Sequence, residues 1–238
     1  MRELEFKFFD GVGEDEYSPN NFIVYNENIE AFYYLNQDAG DVKCPLIFLT
    51  GPKKSGKTHI ANIWKQKQNA KRIDYKIFKA DVSFGDFVGE MSQKIEIYDC
   101  YLIDDFGRDF AEDKLLFLVN SAAEKHSRLL IVSDFDFSKQ KIKIKDLGSR
   151  IDSSIFLKIK KLPKEIKPMF ILKLFNDKKI RAPSSALRFL IQKLPNDYAG
   201  ICDFIQKIAV RLRENDEKLT LEYVKNLKKN DPYFSCFF

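Results

Sequence analysis

The chain has 238 residues, 45% of them hydrophobic, enough to bury one large α/β core and a smaller satellite. Its 40 basic and 35 acidic residues leave a formal charge of +5 and a pI near 8.8, which permits contact with nucleic acid but lacks the cationic stripe of a dedicated DNA-binding domain. Cys44, Cys100, Cys202 and Cys236 form no C-x-x-C pair and only His59 and His126 accompany them, which argues against a zinc site and for reduced thiols.

The N-terminus, MRELEFKFFDG, is too charged for a signal peptide, and no apolar run reaches membrane-spanning length. A cytoplasmic protein without a membrane partner is expected. The run Cys44-PLIFLT-Gly51 reads as a strand buried on both faces, and Gly56 to Asn69 then changes to helical spacing at Ile60, Ile63 and Trp64. Arg72-IDYKIF-Lys79 reads as a second strand and Phe87 to Ile97 as a helix. Cys100-YLIDDF-Gly107 is a third strand with carboxylates at its C-terminal end, followed by a helix over Ala111 to Lys125. Arg128-LLIVSD-Asp134 is a fourth strand, and Ile155-FLKIKK-Leu162 alternates as a fifth. Strands alternating with helices predict right-handed crossovers and a parallel sheet. After Pro163 every periodic segment is helical: Glu165 to Phe175, Ser184 to Leu194, Ile201 to Glu214 and Leu221 to Lys229, with Pro183, Pro195 and Asp216 at the breaks and Ser184 and Thr220 as N-caps. The expected organisation is a tail over 1–16, an α/β nucleotide-binding domain over 17–162 and a helical domain over 163–238.

Gly51-Pro52-Lys53-Lys54-Ser55-Gly56-Lys57-Thr58 fills every fixed position of G-x-x-x-x-G-K-[ST], between a strand and a helix. Such a loop wraps phosphates with backbone N–H groups at a helix N-terminus, its lysine reaches the outer phosphates, and its threonine hydroxyl is a magnesium ligand. The expected ligand is a nucleoside triphosphate or diphosphate with Mg2+. Asp104 and Asp105 end a strand, so alternation predicts opposite sides for them. Asp104 is assigned to the metal and Asp105 to an attacking water. Asp134 closes the fourth strand at the same sheet edge, either to position water or sense the terminal phosphate, or simply to cap a turn. The run Lys139-QKIKIK-Lys145 reads as a solvated loop or a lysine-blunted edge, with contact to single-stranded DNA or an acidic protein as the alternative. Tyr233-FSCFF-Phe238 is aromatic and fits docking on the helical domain or on a partner equally well.

These motifs together resemble a family. The P-loop ending in GKTH (Gly56 to His59), the strand ends IDD and VSD, Asp146-Leu-Gly-Ser-Arg150-Ile and the helical C-terminal region are similar to the AAA+ ATPase module of the bacterial replication initiator DnaA. The likeness runs from about Tyr17 to Lys229. It implies a P-loop AAA+ domain with a five-stranded parallel sheet, a helical lid, His59 as part of the nucleotide-binding motif, adenine contact by Phe22, Ile23 and Val24, and an arginine finger at Arg150 acting across an interface. The sequence ends after the lid, without the helix-turn-helix domain of DnaA proteins, and in this it resembles the short regulators of the Hda type. These carry an N-terminal sliding-clamp peptide. Leu4, Phe6 and Phe8 match its apolar positions, whereas Glu3 stands where its glutamine is expected, and an ordinary tail or edge strand is the competing reading. The implied partners are the initiator and the clamp, with weak DNA contact and a homo-oligomer left open. The lid arginine of the family aligns with Ala199, so weak or partner-dependent hydrolysis is expected. A stand-alone ATPase or helicase-loader-like protein acting on replication DNA complexes is the alternative.

Overall fold

Leu46–Thr50 forms β1, and all five of its residues are buried, as expected of a strand covered by helices on both faces. The computed structural model describes residues 17–37, 46–94, 98–215 and 217–230, with Phe234 and Phe237. Leu4, Phe6 and Phe8, Cys44, Ile97, Asp216 and Cys236 lie outside the described residues.

The remaining strands are β2 (Lys71–Ile73), β3 (Cys100–Phe106), β4 (Arg128–Ser133) and β5 (Ile155–Lys158). The five make one sheet in the order β2-β3-β4-β1-β5, and every neighbouring pair is parallel. Helices α1 (Ile29–Asn36), α2 (Lys57–Lys67), α3 (Phe84–Lys94), α4 (Glu112–Glu124) and α5 (Lys145–Asp152) accompany it. Strand alternation divides the core. Leu46 and Phe48, Tyr101 and Ile103, and Leu129 and Ile131 join a cluster with Phe87 of α3, Leu115 and Leu118 of α4, and Leu147 and Ile151 of α5. The intervening Ile47, Leu49, Leu102, Leu130 and Val132 are equally buried on the opposite face, where α2 meets β3 and β4 and brings Ile60 and Trp64.

The chain after β1 leaves through α2 toward β2, whereas the chain after β4 leaves through α5 toward β5. These adjacent strands therefore send their connections in opposite directions and to opposite faces, which opens a crevice at their carboxyl ends, the usual ligand position of an open α/β sheet.

Several elements differ from the sequence expectation. The second strand stops at Ile73 because the Asp74 carboxylate accepts from Lys76 N at 2.9 Å and caps a 3-10 turn, Tyr75–Phe78. Ser184 is the first helical residue of α7 (Ser184–Lys193), with Pro183 in the cap position. Thr220 does cap: its hydroxyl accepts from Tyr223 N at 3.0 Å. Helices α1 and α5 were unforeseen. The Lys139–Lys145 run follows the loop reading and not the edge strand: Lys139 ends the 3-10 turn Phe137–Lys139, 140–144 are loop, and Lys145 begins α5.

Val24–Lys161 is one compact unit. The other holds Leu162–Phe238 with the chain before Val24, of which 17–23 are described. In it α6 (Lys167–Asp177) packs on α7 and on α8 (Tyr198–Glu214), and α7 packs on α9 (Leu221–Asn230). Asp197 caps α8 by accepting from Gly200 N at 2.7 Å. Among the described residues no helix is long and apolar enough to cross a membrane.

Candidate functional site

The segment between β1 and α2 is built around two glycines. A Cβ on Gly51 would lie 2.8 Å from the Ile159 carbonyl oxygen, so only glycine lets the loop leave β1 this close to the chain after β5. Gly56 sits at φ 93°, the left-handed region, at the cap of α2, where no side chain covers the first N–H groups. Those donors face the crevice side of the sheet by virtue of the strand-to-helix turn. The Ser55 hydroxyl is buried without a hydrogen-bond partner among the described residues, a polar group that a phosphate oxygen would satisfy. The loop therefore fits the phosphates of a nucleotide.

Lys57 follows, only 7% exposed although charged. Its Nζ donates to Gly51 O at 3.0 Å, to Pro52 O at 2.8 Å and to Asp134 Oδ1 at 2.6 Å. An ammonium has three donors, and all three are used. Asp134 comes from the end of β4, where Thr50 and Ser133 stand side by side in register, so the ion pair bridges the crevice between β1 and β4.

Thr58 Oγ1 lies 3.4 Å from Asp104 Oδ1. Asp104 is buried, and its carboxylate also accepts from Asp105 N at 3.0 Å and from Arg72 at 3.2 Å. Burial and the neighbouring Asp105 push the Asp104 carboxyl up, while the Asp105 N–H, the Arg72 guanidinium and the Thr58 hydroxyl pull it back toward the ionised form. Asp105 is exposed, but simple alternation does not put it there. Pairing with β4 slips between Ile103 and Phe106, and Asp105 takes φ 55°, so a bulge turns its side chain out. A hydroxyl beside one buried carboxylate is the sparse protein set that suits Mg2+, which keeps waters and takes phosphate oxygens for the rest of its shell. Among the described residues no cluster of three or more His, Cys, Asp or Glu offers a denser metal site.

The structure thus brings together Gly51, Ser55, Lys57, Thr58, Asp104 and Asp134, with Pro52 accepting from Lys57, Lys53 and Lys54 exposed on the loop and His59 half-buried in the first turn of α2. Val24 opens the α/β unit and is exposed, whereas Phe22 and Ile23 belong to the helical unit's chain, as does Ala199 in the first turn of α8. Arg150 lies on α5, where Leu147 and Ile151, four residues apart, are buried and hold the segment helical. Its Nε sits 3.7 Å from Asp146 Oδ1, with both side chains about half exposed. The residue that sequence reasoning missed is Arg72, and only the pairing of β2 with β3 reveals it.

No known family profile matches the chain. An uncharacterised protein of Haemophilus influenzae is 24% identical over 228 residues, 92% of this chain and 93% of that one. Among solved structures, domain III of the replication initiation protein DnaA from Thermotoga maritima superposes with a TM-score of 0.71 at 19% identity, covering 88% of this chain and 94% of that domain. DnaA of Aquifex aeolicus, solved with AMPPCP, gives 0.62 at 17% identity, covering 92% and 70%. The fold is that of the AAA+ module of these initiators.

Proposed function

We propose that this chain binds ATP or ADP with Mg2+ at the P-loop and regulates the initiation of chromosomal replication by presenting Arg150 to nucleotide held by a DnaA-type initiator on the sliding clamp. One observation carries the reading: a buried lysine whose three donors are held by its own loop and by Asp134, at the crevice where an AAA+ fold takes its ligand. Phosphate oxygens would take over those donors, joined by the loop N–H groups and the Ser55 hydroxyl. Thr58 and Asp104 would hold Mg2+, which supplies neutralisation of phosphate charge. Asp105 and Asp134 are the groups that orient a water, and Phe22, Ile23 and Val24 are assigned to adenine. The helical unit is the lid, and Ala199 in place of a lid arginine fits hydrolysis that is slow or partner-dependent. A cytoplasmic site of action follows from such partners.

Arg150 supports the regulatory part. An exposed ion pair four residues apart on a helix is worth about 0.3–0.5 kcal/mol, so Asp146 gives up the guanidinium readily to a phosphate of another molecule. A finger supplied in trans accelerates hydrolysis about 10³–10⁵-fold. The test mixes this protein, clamp-loaded DNA and ATP-bound initiator and follows phosphate release. Arg150→Ala should abolish stimulation while leaving this chain's own nucleotide affinity intact, and Lys57→Ala should remove that affinity. Full stimulation by the Arg150→Ala variant refutes the finger; equal nucleotide binding by the Lys57→Ala variant refutes the site.

A further inference from the structure

We infer that Arg72 is a positioning residue for Asp104: its guanidinium takes one carboxylate oxygen and so turns the other toward Thr58, on the side where a nucleotide's metal would lie. The inference rests on the nucleotide-binding reading above and names a residue that reading does not require.

Backbone geometry sets up the arrangement. Arg72 on β2 pairs in register with Leu102 on β3, so the two share a face of the sheet. Asp104 is two residues beyond Leu102 and keeps that face, because the register slip begins only after Ile103. This is the face covered by α2, whose first turn carries Thr58. Two side chains, Arg72 from β2 and Thr58 from α2, and the backbone N–H of Asp105 thus converge on one carboxylate. Its two oxygens are divided between them. Oδ2 accepts from Arg72 at 3.2 Å, while Oδ1 is shared by Asp105 N at 3.0 Å and Thr58 Oγ1 at 3.4 Å.

The carboxylate has no exposed surface, whereas the Arg72 side chain is 48% exposed. A half-exposed arginine on a three-residue edge strand fills no core, so its contribution is to the group it touches. Without it, Oδ2 would be a buried charge with no donor among the described residues, and the carboxylate would rotate about its side-chain torsion to find one. Oδ1 would then leave Thr58, and the two ligands assigned to the metal would no longer point together. Partners that orient a ligating carboxylate are worth about 10–100-fold in metal affinity.

The test compares the parent with Arg72→Ala and Arg72→Lys by calorimetry with ADP and ATP, in EDTA and across a Mg2+ titration. Arg72→Ala should leave the EDTA affinity unchanged and raise the Mg2+ concentration that half-restores tight binding by about 10–100-fold. Arg72→Lys should fall between, because an ammonium keeps the charge but not the planar fork. A merely structural arginine would lower thermal stability and both affinities together, and an unchanged Mg2+ midpoint would exclude positioning. A crystal structure of the Arg72→Ala variant decides independently of nucleotide: Asp104 Oδ1 should move away from Thr58 Oγ1, and a carboxylate that stays in place overturns the inference. A parent protein that binds no nucleotide refutes the proposed function, and the crystallographic comparison still rules on Arg72.

Discussion

Asp134→Asn removes the one charged acceptor of Lys57 while keeping a side chain of the same shape. In the structure the Lys57 ammonium is fully engaged, and its contact with Asp134, at 2.6 Å, is the shortest of its three. Phosphate can approach Nζ only as that contact loosens. A hydrogen bond between charged groups contributes about 1.5–3 kcal/mol, and because the Asp134 side chain is 43% exposed, water screening reduces this to roughly 1–2 kcal/mol. The amide oxygen of asparagine still accepts but without charge, so most of that competition disappears. Each 1.4 kcal/mol is tenfold, so affinity for ADP should rise about five- to thirtyfold. Calorimetry of ADP binding to parent and variant at fixed salt reads the change directly. Hydrolysis, if Asp134 orients the water, should fall in the same variant, so the two effects separate on one protein. An ADP affinity that is unchanged or weaker in a folded variant would refute the competition and with it the placement of phosphate at Lys57.

Gly51→Ala should destabilise the fold by about 1–3 kcal/mol in urea unfolding and weaken nucleotide binding as well, because its Cβ meets the Ile159 carbonyl oxygen and backbone must shift; a stable variant with parental affinity would contradict this. Asp136→Ala should cost about 1 kcal/mol at pH 7, since the carboxylate caps the Phe137–Lys139 turn through Ser138 and pairs with Lys158. Those contacts, the Ser138 hydrogen bond first, hold the Asp136 carboxyl below its ordinary range, so its contribution is complete above the unfolded value and is lost as pH falls through the folded one. The gap between parent and variant in denaturant midpoints should therefore close on acidification from pH 7 toward 3 and would not if Asp136 acted through packing. Phe6→Ala with Phe8→Ala should abolish binding to immobilised sliding clamp and leave nucleotide affinity untouched; unaltered clamp affinity would make the N-terminal segment an ordinary tail.

What sequence could reveal depended on whether the signal was local. The P-loop is a contiguous string with fixed spacing, and β1, β3 and β4 are unbroken apolar runs, so the strand ends that carry Gly51, Asp104 and Asp134 were legible without knowing the sheet. The neighbours across the sheet were not. Arg72 reads as an unremarkable charge at a strand start until strand order puts β2 beside β3. Nor could alternation foresee Asp105, because a bulge breaks the two-residue period at the functional residue itself. Helices α1 and α5 failed for another reason. Each is eight residues with only two buried positions, Ala31 and Leu35 in one and Leu147 and Ile151 in the other, too few turns for a period to stand out. In both, the i, i+4 pair was the available signal. The strand expected over Arg72 to Lys79 went wrong at Asp74, whose side chain competes for backbone donors in a way hydropathy does not register.

The abundance of phenylalanine, 22 residues, acquires a purpose at the strand ends. Phe137, just after β4, packs with tilted rings against Phe48 of β1 at 4.3 Å, Phe106 of β3 at 5.5 Å and Phe135 at 4.6 Å, ring centre to ring centre. Phe78 and Phe110 extend the same cluster around Phe106. These are the strands that carry the P-loop, the paired carboxylates and Asp134, and the rings lie on the face opposite α2. Rigid aromatic packing on one face thus fixes, relative to one another, strand ends whose polar side chains meet on the other. The bulge at Asp105 falls directly before Phe106, so the ring anchors the chain where its hydrogen-bonding pattern is interrupted. A buried Asp104, a buried Lys57 and a left-handed Asp105 are each unfavourable alone, and the apolar cluster on the opposite face supplies the stability that tolerates them. Asp136 stands outside the site but caps the turn that carries Phe137 and ties it to Lys158 on β5, so losing its charge should loosen Phe137 and lower nucleotide affinity only as far as it lowers stability.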